Sequence, residues 1–309
     1  MALDLVIKPN TAPVSWKAFC KKYPPYSVAL DGYVNDAPLF DQAGPRANFN
    51  HHENVDRLAT RSTCAQVLIA IRQGFFDAFK DDAGPRATIY VNDCDEDVSL
   101  SWFLLKHYAL IEHRFPPPAI SRLVGLEDLM DATAGAYPLP ISLATLQELA
   151  WVFEPYRSFR VSGSLDKKDP GEYRSVIDAV ESRILLFIDG KGERTSLDTR
   201  YKKIGGGTIW SLIEEIGPHA YTGAYADGIR AYVSARPRPE SRWTYTIGRM
   251  SPYIPFDIKK ITAALNKAEK CKRDKWGGAN TIGGSPRIGG STLNPQQIET
   301  IVNEVLGGK

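Results

Sequence analysis

The feature that most constrains this chain is a short apolar strand that ends in an acid and is followed almost at once by a helix. Ala87-Thr88-Ile89-Tyr90-Val91 is a β-branched and aromatic run closed by Asn92-Asp93, and Val98 to His113 then reads as a helix that is apolar on most faces. Tyr26-Ser27-Val28-Ala29-Leu30 ends at Asp31 in the same way, and Ala47-Asn48-Phe49 runs into Asn50-His51-His52 ahead of a helix expected over residues 60–80. Short buried strands alternating with helices predict an α/β chain whose N-terminal half is a largely parallel sheet flanked by helices. In such sheets ligands bind at the carboxyl ends of the strands, where Asp31, His51, His52 and Asp93 fall.

Pro116-Pro117-Pro118 stops the helix that begins at Val98. Further helices are expected at 123–132 and 142–153, and a Gly, Ser, Asp and Lys-rich loop at 162–171 marks a boundary, followed by a helix at 172–188. Beyond it the pattern predicts a Gly205-Gly206-Gly207 turn, a helix to Ile216, strands at 228–235 and 242–248, a helix at 257–272, a glycine-rich loop and a last helix from Pro295. The domain reading is 1–160, a linker loop and helix at 161–190, and a smaller α+β domain at 191–309. With 309 residues, 43% hydrophobic and 24% charged, the chain is too rich in core-forming residues for disorder. No apolar run approaches the roughly 20 residues that span a bilayer, so no membrane segment is expected. The opening MALDLVIKPN lacks the charged region and cleavage site of a secretory signal, and the expected location is cytoplasmic. The cysteines Cys20, Cys64, Cys94 and Cys271 form no paired motif. A net charge of +2 excludes bulk electrostatic grip on nucleic acid, so nucleotide recognition would be local.

Asp93-Cys94-Asp95-Glu96-Asp97 puts four carboxylates into five residues at the mouth of a helix. A helix N-terminus favours one or two acids, and the remainder repel unless a cation neutralises them. Adjacent His51 and His52, two of only five histidines, can both face one cleft from a turn. Mixed carboxylate and imidazole ligands suit Mn²⁺ or Mg²⁺ better than a thiolate zinc site. In the C-terminal half, the segment Trp276 to Gly290 carries three Gly-Gly pairs, with Trp276, Ile282 and Ile288 as expected anchors. Its amides at Gly283, Gly284 and Ser285 can form an anion nest, with Arg287 as a phosphate donor and Arg249 as a second. His107, His113 and His219 carry no assignment.

These motifs together resemble the DHH phosphoesterase superfamily. SVALDGYV and RANFNHHENVDRLATRSTCAQVLIA resemble its second and third motifs, IYVNDCDEDVSLSWFLL its first, and GLEDLMDATAG its fourth, over residues 26–137. The third motif reads Asn-His-His where relatives have Asp-His-His, and the first motif follows the second and third, a permuted order. The glycine-rich loop resembles that of the DHH-associated C-terminal domain, without its histidine. The resemblance implies a two-domain hydrolase with two divalent ions, held by Asp31, His51, Asp93, Asp95, Asp97 and Asp131, with His52 facing substrate and Asp95 in the catalytic set. It implies the nuclease and phosphodiesterase chemistry of that superfamily on small phosphodiesters or short single-stranded oligonucleotides, in a chain that can form a homodimer. The alternative is a catalytically decayed nucleotide-binding or scaffold protein on the same frame.

Overall fold

The computed structural model describes residues 2–112 and 117–307. Among these residues the chain is mixed α/β, with twelve α-helices and two multi-stranded mixed sheets. It divides into two units, Met1–Ala132 with Ala144–Thr195, and Thr133–Leu143 with Ser196–Lys309.

The first unit runs β1 (Ala2–Ile7), α1 (Trp16–Lys22), β2 (Ser27–Leu30), β3 (Leu39–Asp41), β4 (Arg46–Phe49), α2 (Thr63–Arg72), α3 (Phe75–Ala78), β5 (Lys80–Asp81), β6 (Gly84–Val91), α4 (Glu96–Lys106), α5 (Tyr108–Glu112), α6 (Pro118–Ala132), α7 (Ala144–Val152), α8 (Glu154–Val161) and α9 (Pro170–Ile188). Its sheet has the order β1-β6-β2-β4-β3, parallel from β1 to β4 with β3 antiparallel at the edge, and β5 folding back on β6. Alternation along the strands serves two cores. Val28, Leu30, Ile89 and Val91 join a large core with residues of α2, α4 and α9, while Ala29 and Tyr90 face Phe19 of α1 and Tyr33. Both faces being covered explains why these strands read as nearly unbroken apolar runs.

The helices start where polar side chains meet free amides. Ser62 caps α2 through Ala65 N, Asp95 caps α4 through Val98 N, and Asp169 caps α9 ahead of Pro170. The single helix expected over 60–80 is interrupted at Gly74, whose φ of +91° ends α2 and opens α3. The helix expected to end at His113 divides into α4 and α5, and His113 itself lies outside the described residues.

The second unit contains β7 (Tyr201–Gly206), β8 (Ser211–Glu215), α10 (Ala220–Ala226), β9 (Ala231–Arg238), β10 (Arg242–Arg249), α11 (Ile258–Glu269), β11 (Gly277–Gly278), β12 (Ile282–Gly284) and α12 (Pro295–Val305). Its sheet is ordered β11-β12-β10-β9-β8-β7, with only β8 and β9 parallel. The helix expected before Ile216 is instead strand β8. Ser211, Leu212 and Ile213 form a short buried run whose periodicity cannot separate helix from strand, and the neighbouring β9 decides it. Helices α11 and α12 pack one core against the sheet, and α10 packs a second with Ile213 and Tyr232. Replacement of Gly74 by alanine should cost about 1–2 kcal/mol in urea denaturation, because the residue must keep its left-handed conformation.

Candidate metal centre

Strands β2, β4 and β6 lie side by side, so their carboxyl ends bring Asp31, Asn50-His51-His52 and Asp93 to one edge of the sheet. Asp31 follows β2 in a left-handed conformation, φ +48°, which Asp tolerates better than most residues, and Gly32 continues the turn at +77°. The amide of Asp31 donates to Phe49 O at 2.9 Å, tying the ends of β2 and β4 together.

His51 has no exposed surface. Its Nε2 lies 2.8 Å from Asp131 Oδ2, 3.5 Å from Asp31 Oδ1 and 3.7 Å from Asp97 Oδ2. The ring N–H is aligned with none of them as a hydrogen bond, so Nε2, Nδ1 and Asp131 Oδ2 are buried polar atoms without a bonded partner. His51 is shared by two groups of donor atoms, one with Asp31 and one with Asp97 and Asp131. Oxygen or nitrogen ligands held at about 2.1 Å in an octahedral array stand about 3 Å apart, a spacing that Asp131 Oδ2 meets at 2.8 Å, with Asp31 and Asp97 farther out at 3.5 and 3.7 Å. His52 Nε2 sits 2.8 Å from Asp31 Oδ1, and its side chain is 31% exposed. Two overlapping groups, Asp31 with His51 and His52, and His51 with Asp97 and Asp131, could therefore hold a metal ion.

The surrounding chain fixes these groups. Asp97, near the start of α4, reaches across to α2 and accepts from Thr63 N at 2.7 Å and Cys64 N at 2.6 Å, so free helix amides offset its charge. Thr63 Oγ1 donates to Asp31 at 3.0 Å, and Arg57 donates to Asp131 at both its carbonyl and its Oδ1. Asp128 accepts from Ser62 N and Arg61. Asp93 and Asp95 stand at the same strand end, outside the two convergent groups. Asp93 accepts from Cys94 N, and Asp95 is occupied as the α4 cap.

Neither Thr63 nor Arg57 was singled out by its residue type. Their signal is positional, a capping start and a loop cation just after the histidine pair. Glu127, one turn before Asp131 on α6, is 2% exposed, and its Oε2 has no partner.

Asn50 accounts for the departure from Asp-His-His. It is fully buried, and its Nδ2 donates to Asp36 O at 2.8 Å, Val34 O at 3.3 Å and Glu53 Oε2 at 2.7 Å, while Oδ1 accepts His52 N. A carboxylate has no proton for those acceptors. The Asn50→Asp variant should lose about 1–3 kcal/mol of stability, measured by urea denaturation, through loss of the buried amide's hydrogen bonds and repulsion with Glu53. An unchanged midpoint would show that the amide is not required.

The electrostatics are those of an unneutralised site. Burial alone would raise Asp31, but the adjacent His51 and His52 imidazoles hold it far below the usual range. Burial would likewise raise Asp131, and His51 brings it down. Burial would lower His51, but Asp131 and Asp31 outweigh it and push the imidazole up to about 10. Burial, reinforced by neighbouring carboxylates, pushes Asp95, Asp97 and Glu127 well above their ordinary values and raises Asp93.

The second unit places the remaining candidates as follows. Arg249 donates to the carbonyls of Asn280 at 2.6 Å, Ile254 at 2.9 Å and Pro252 at 3.4 Å. Ser285 is buried, bonded through Oγ to Tyr245 N. Gly283 and Gly284 belong to β12, where a Cβ at Gly283 would lie 2.9 Å from Ile258 of α11. The amides of Arg287, Ile288 and Gly289 do form a nest, and the Asp274 carboxylate fills it at 2.8–3.0 Å, leaving the Arg287 side chain exposed. Of the expected anchors only Trp276 is buried, since Ile282 and Ile288 are 41% and 87% exposed. His107 is not isolated: with Lys106 it pairs with Glu181 of α9. His219 is buried at the start of α10.

No protein-family model and no curated protein matches this chain. No helix among the described residues is long and apolar enough to cross a membrane.

The shifts fix the sign of a pH dependence. His51, raised above the unperturbed 6.5, contributes stability that is complete below that value and lost as pH rises through about 10. Raised Asp95, Asp97 and Glu127 act in the same direction, because their ionisation opposes folding above their ordinary range near 4. Lowered Asp31 acts oppositely, but only below about 3.9. The melting temperature of the metal-free protein should fall from pH 5.5 to pH 9. Saturating Mn²⁺, which selects deprotonated ligands, should remove that decline. A slope unmoved by Mn²⁺ would exclude the site as an ion-binding centre.

Proposed function

We propose that this chain is a divalent-metal-dependent phosphohydrolase acting on small phosphodiesters or short oligonucleotides, on a DHH-like frame with a permuted motif order. The observation that carries the reading is the convergence of Asp31, Asp97 and Asp131 on the buried, unpaired Nε2 of His51. The sheet order supports it as well. Strands β6, β2 and β4 are parallel neighbours, so the segments resembling the first, second and third motifs reach one edge in that order, whatever their order along the chain.

Asp31, His51, Asp97 and Asp131 would hold the ions, with Asp93 and Asp95 close by; the donor set is hard to borderline and suits Mn²⁺ or Mg²⁺. When bound, such ions lower the pKa of a coordinated water and neutralise charge on a phosphoryl group. Thr63 and Arg57 hold Asp31 and Asp131 in place. His52 is the exposed member of the pair, able to bind a substrate oxygen and give a proton to the leaving group.

Elemental analysis after Mn²⁺ loading should find about two ions per chain, and the protein should hydrolyse dinucleotides or short oligonucleotides. The Asp131→Asn and His51→Gln variants should lose metal and at least roughly a hundredfold in rate. Metal bound without turnover on these substrates would instead favour a nucleotide-binding protein.

A further inference from the structure

The hairpin of β9 and β10 in the second unit carries four arginines, and the fold answers the charge of only some of them. Arg249, at one end, donates to three backbone carbonyls, and Arg236 pairs with Glu215 of β8. Arg238 and Arg242 stand directly opposite each other at the other end of the ladder, so both side chains leave the same face of the sheet. Like charges in opposed positions repel, and both residues are partly buried. Among the described residues neither forms an ion pair, although Glu240 stands in the turn between them.

Both guanidiniums reach one loop. Ser285 is tied to Tyr245 of β10 and Ser291 to Trp243, and residues 286–290 form the loop between those ties. Arg238 Nη1 lies 3.5 Å from Arg287 O, and a Cβ at Gly290 would stand 2.9 Å from the same nitrogen and from Trp243 O. Gly290 has a φ of +65°, so glycine both makes the bend and leaves space for the guanidinium. Arg242 Nη1 is 3.8 Å from where a Cβ of the neighbouring Gly289 would be. Arg287 adds a third guanidinium on the loop itself. Asp274, the acid beside the loop, is engaged by the amides of Arg287, Ile288 and Gly289 and ion-pairs with none of the three arginines. The chain therefore leaves an excess of positive charge at this spot, on side chains whose forked donors are free.

We propose that Arg238 and Arg242, at the loop from Pro286 to Gly290, bind a phosphate group. A phosphate monoester brings about two negative charges and three acceptor oxygens, which matches two opposed guanidinium forks where a single carboxylate would not. Inorganic phosphate and a phosphorylated small molecule present that same chemistry. The site does not rest on the phosphohydrolase reading, since it needs no metal and uses no residue of the carboxylate cluster.

The test titrates inorganic phosphate, adenosine 5′-monophosphate and adenosine into the full chain, stripped of metal with EDTA and held at constant ionic strength, following the arginine Nε–Hε signals by NMR. Phosphate and the monophosphate should shift the Arg238 and Arg242 signals, and adenosine should not. Arg238→Met and Arg242→Met should each weaken binding about tenfold or more through loss of charge-assisted hydrogen bonds. Each should also keep or raise the phosphate-free melting temperature, because it relieves the opposed charges. Tighter binding of the monophosphate assigns the site to a phosphorylated small molecule, and equal affinity assigns it to the phosphate ion. The proposal is overturned if neither anion shifts the signals, if chloride at the same ionic strength shifts them equally, or if the methionine variants bind phosphate unchanged. A response that appears only with Mn²⁺ and disappears in His51→Gln would place the phosphate at the carboxylate cluster and overturn it as well. Failure of hydrolysis leaves this site standing, and hydrolysis with unresponsive arginines leaves only the phosphohydrolase reading.

Discussion

Mutual repulsion among buried carboxylates is the constraint around which the first unit is organised. Asp31, Asp93, Asp95, Asp97 and Asp131 surround the carboxyl edge of a parallel sheet, a region of low dielectric where like charges interact strongly. The chain meets that repulsion with several kinds of positive potential. Helix amides hold Asp97 and Asp95, the Arg57 guanidinium holds Asp131, and the two imidazoles address Asp31. These partners offset only part of the charge. Asp95, Asp97 and Glu127 stay far above their ordinary pKa values, and His51 is held protonated by carboxylates it does not properly bond. The protein alone thus satisfies the site incompletely, and a metal ion could supply the missing positive charge.

The loop from Asn50 to Ser62 transmits this constraint into the fold. Asn50 anchors its start on Val34, Asp36 and Glu53, Gln66 joins its two ends through Asn50 O and Arg61 O, and Asp128 seizes its close at Ser62 N. The histidines are therefore carried on a braced segment, although none of it is helix or strand. Bracing from both ends keeps a turn-borne imidazole as well positioned as one on a helix, as a site requiring sub-ångström placement demands.

Much of this frame was legible in the sequence, and its limits are physical. Strands β2 and β6 could be read because strands covered on both faces carry long apolar runs, whereas β4, Arg46-Ala47-Asn48-Phe49, is half polar and shows only a short one. Asp31 and Asp93 could then be placed at the edge where those runs end. Strand β8 was not legible, because a buried strand and a buried helical turn have the same composition over so few residues. The break at Gly74 was equally hidden, since glycine within a helical pattern is often tolerated. Hydrogen-bond direction is a further kind of information that residue types lack. Asn50 looks like a lost carboxylate until its three acceptors are seen, and the amides around Arg287 look like a vacant anion nest until Asp274 fills them. Ligand-like patterns in a sequence thus overstate what is available, because the chain often satisfies them internally.

The order of the motifs along the chain weighs less against the proposed kinship than it first suggests. A metal or phosphate group senses only which side chains reach one point, and in a parallel sheet this depends on which strands are neighbours. Here β6 stands beside β2 and β2 beside β4, with all three pointing the same way, so the latest strand in sequence delivers its acids next to the earliest. The crossover from β4 through α2 to β6 accomplishes this, and α2 meets two demands at once: it covers the sheet, and its first amides donate to Asp97. A rearranged chain would have to recreate that helix start opposite the acidic strand end. The Ser62-Thr63-Cys64 cap supplies it, and with it the convergence on His51 that makes metal-dependent chemistry the best reading of the site.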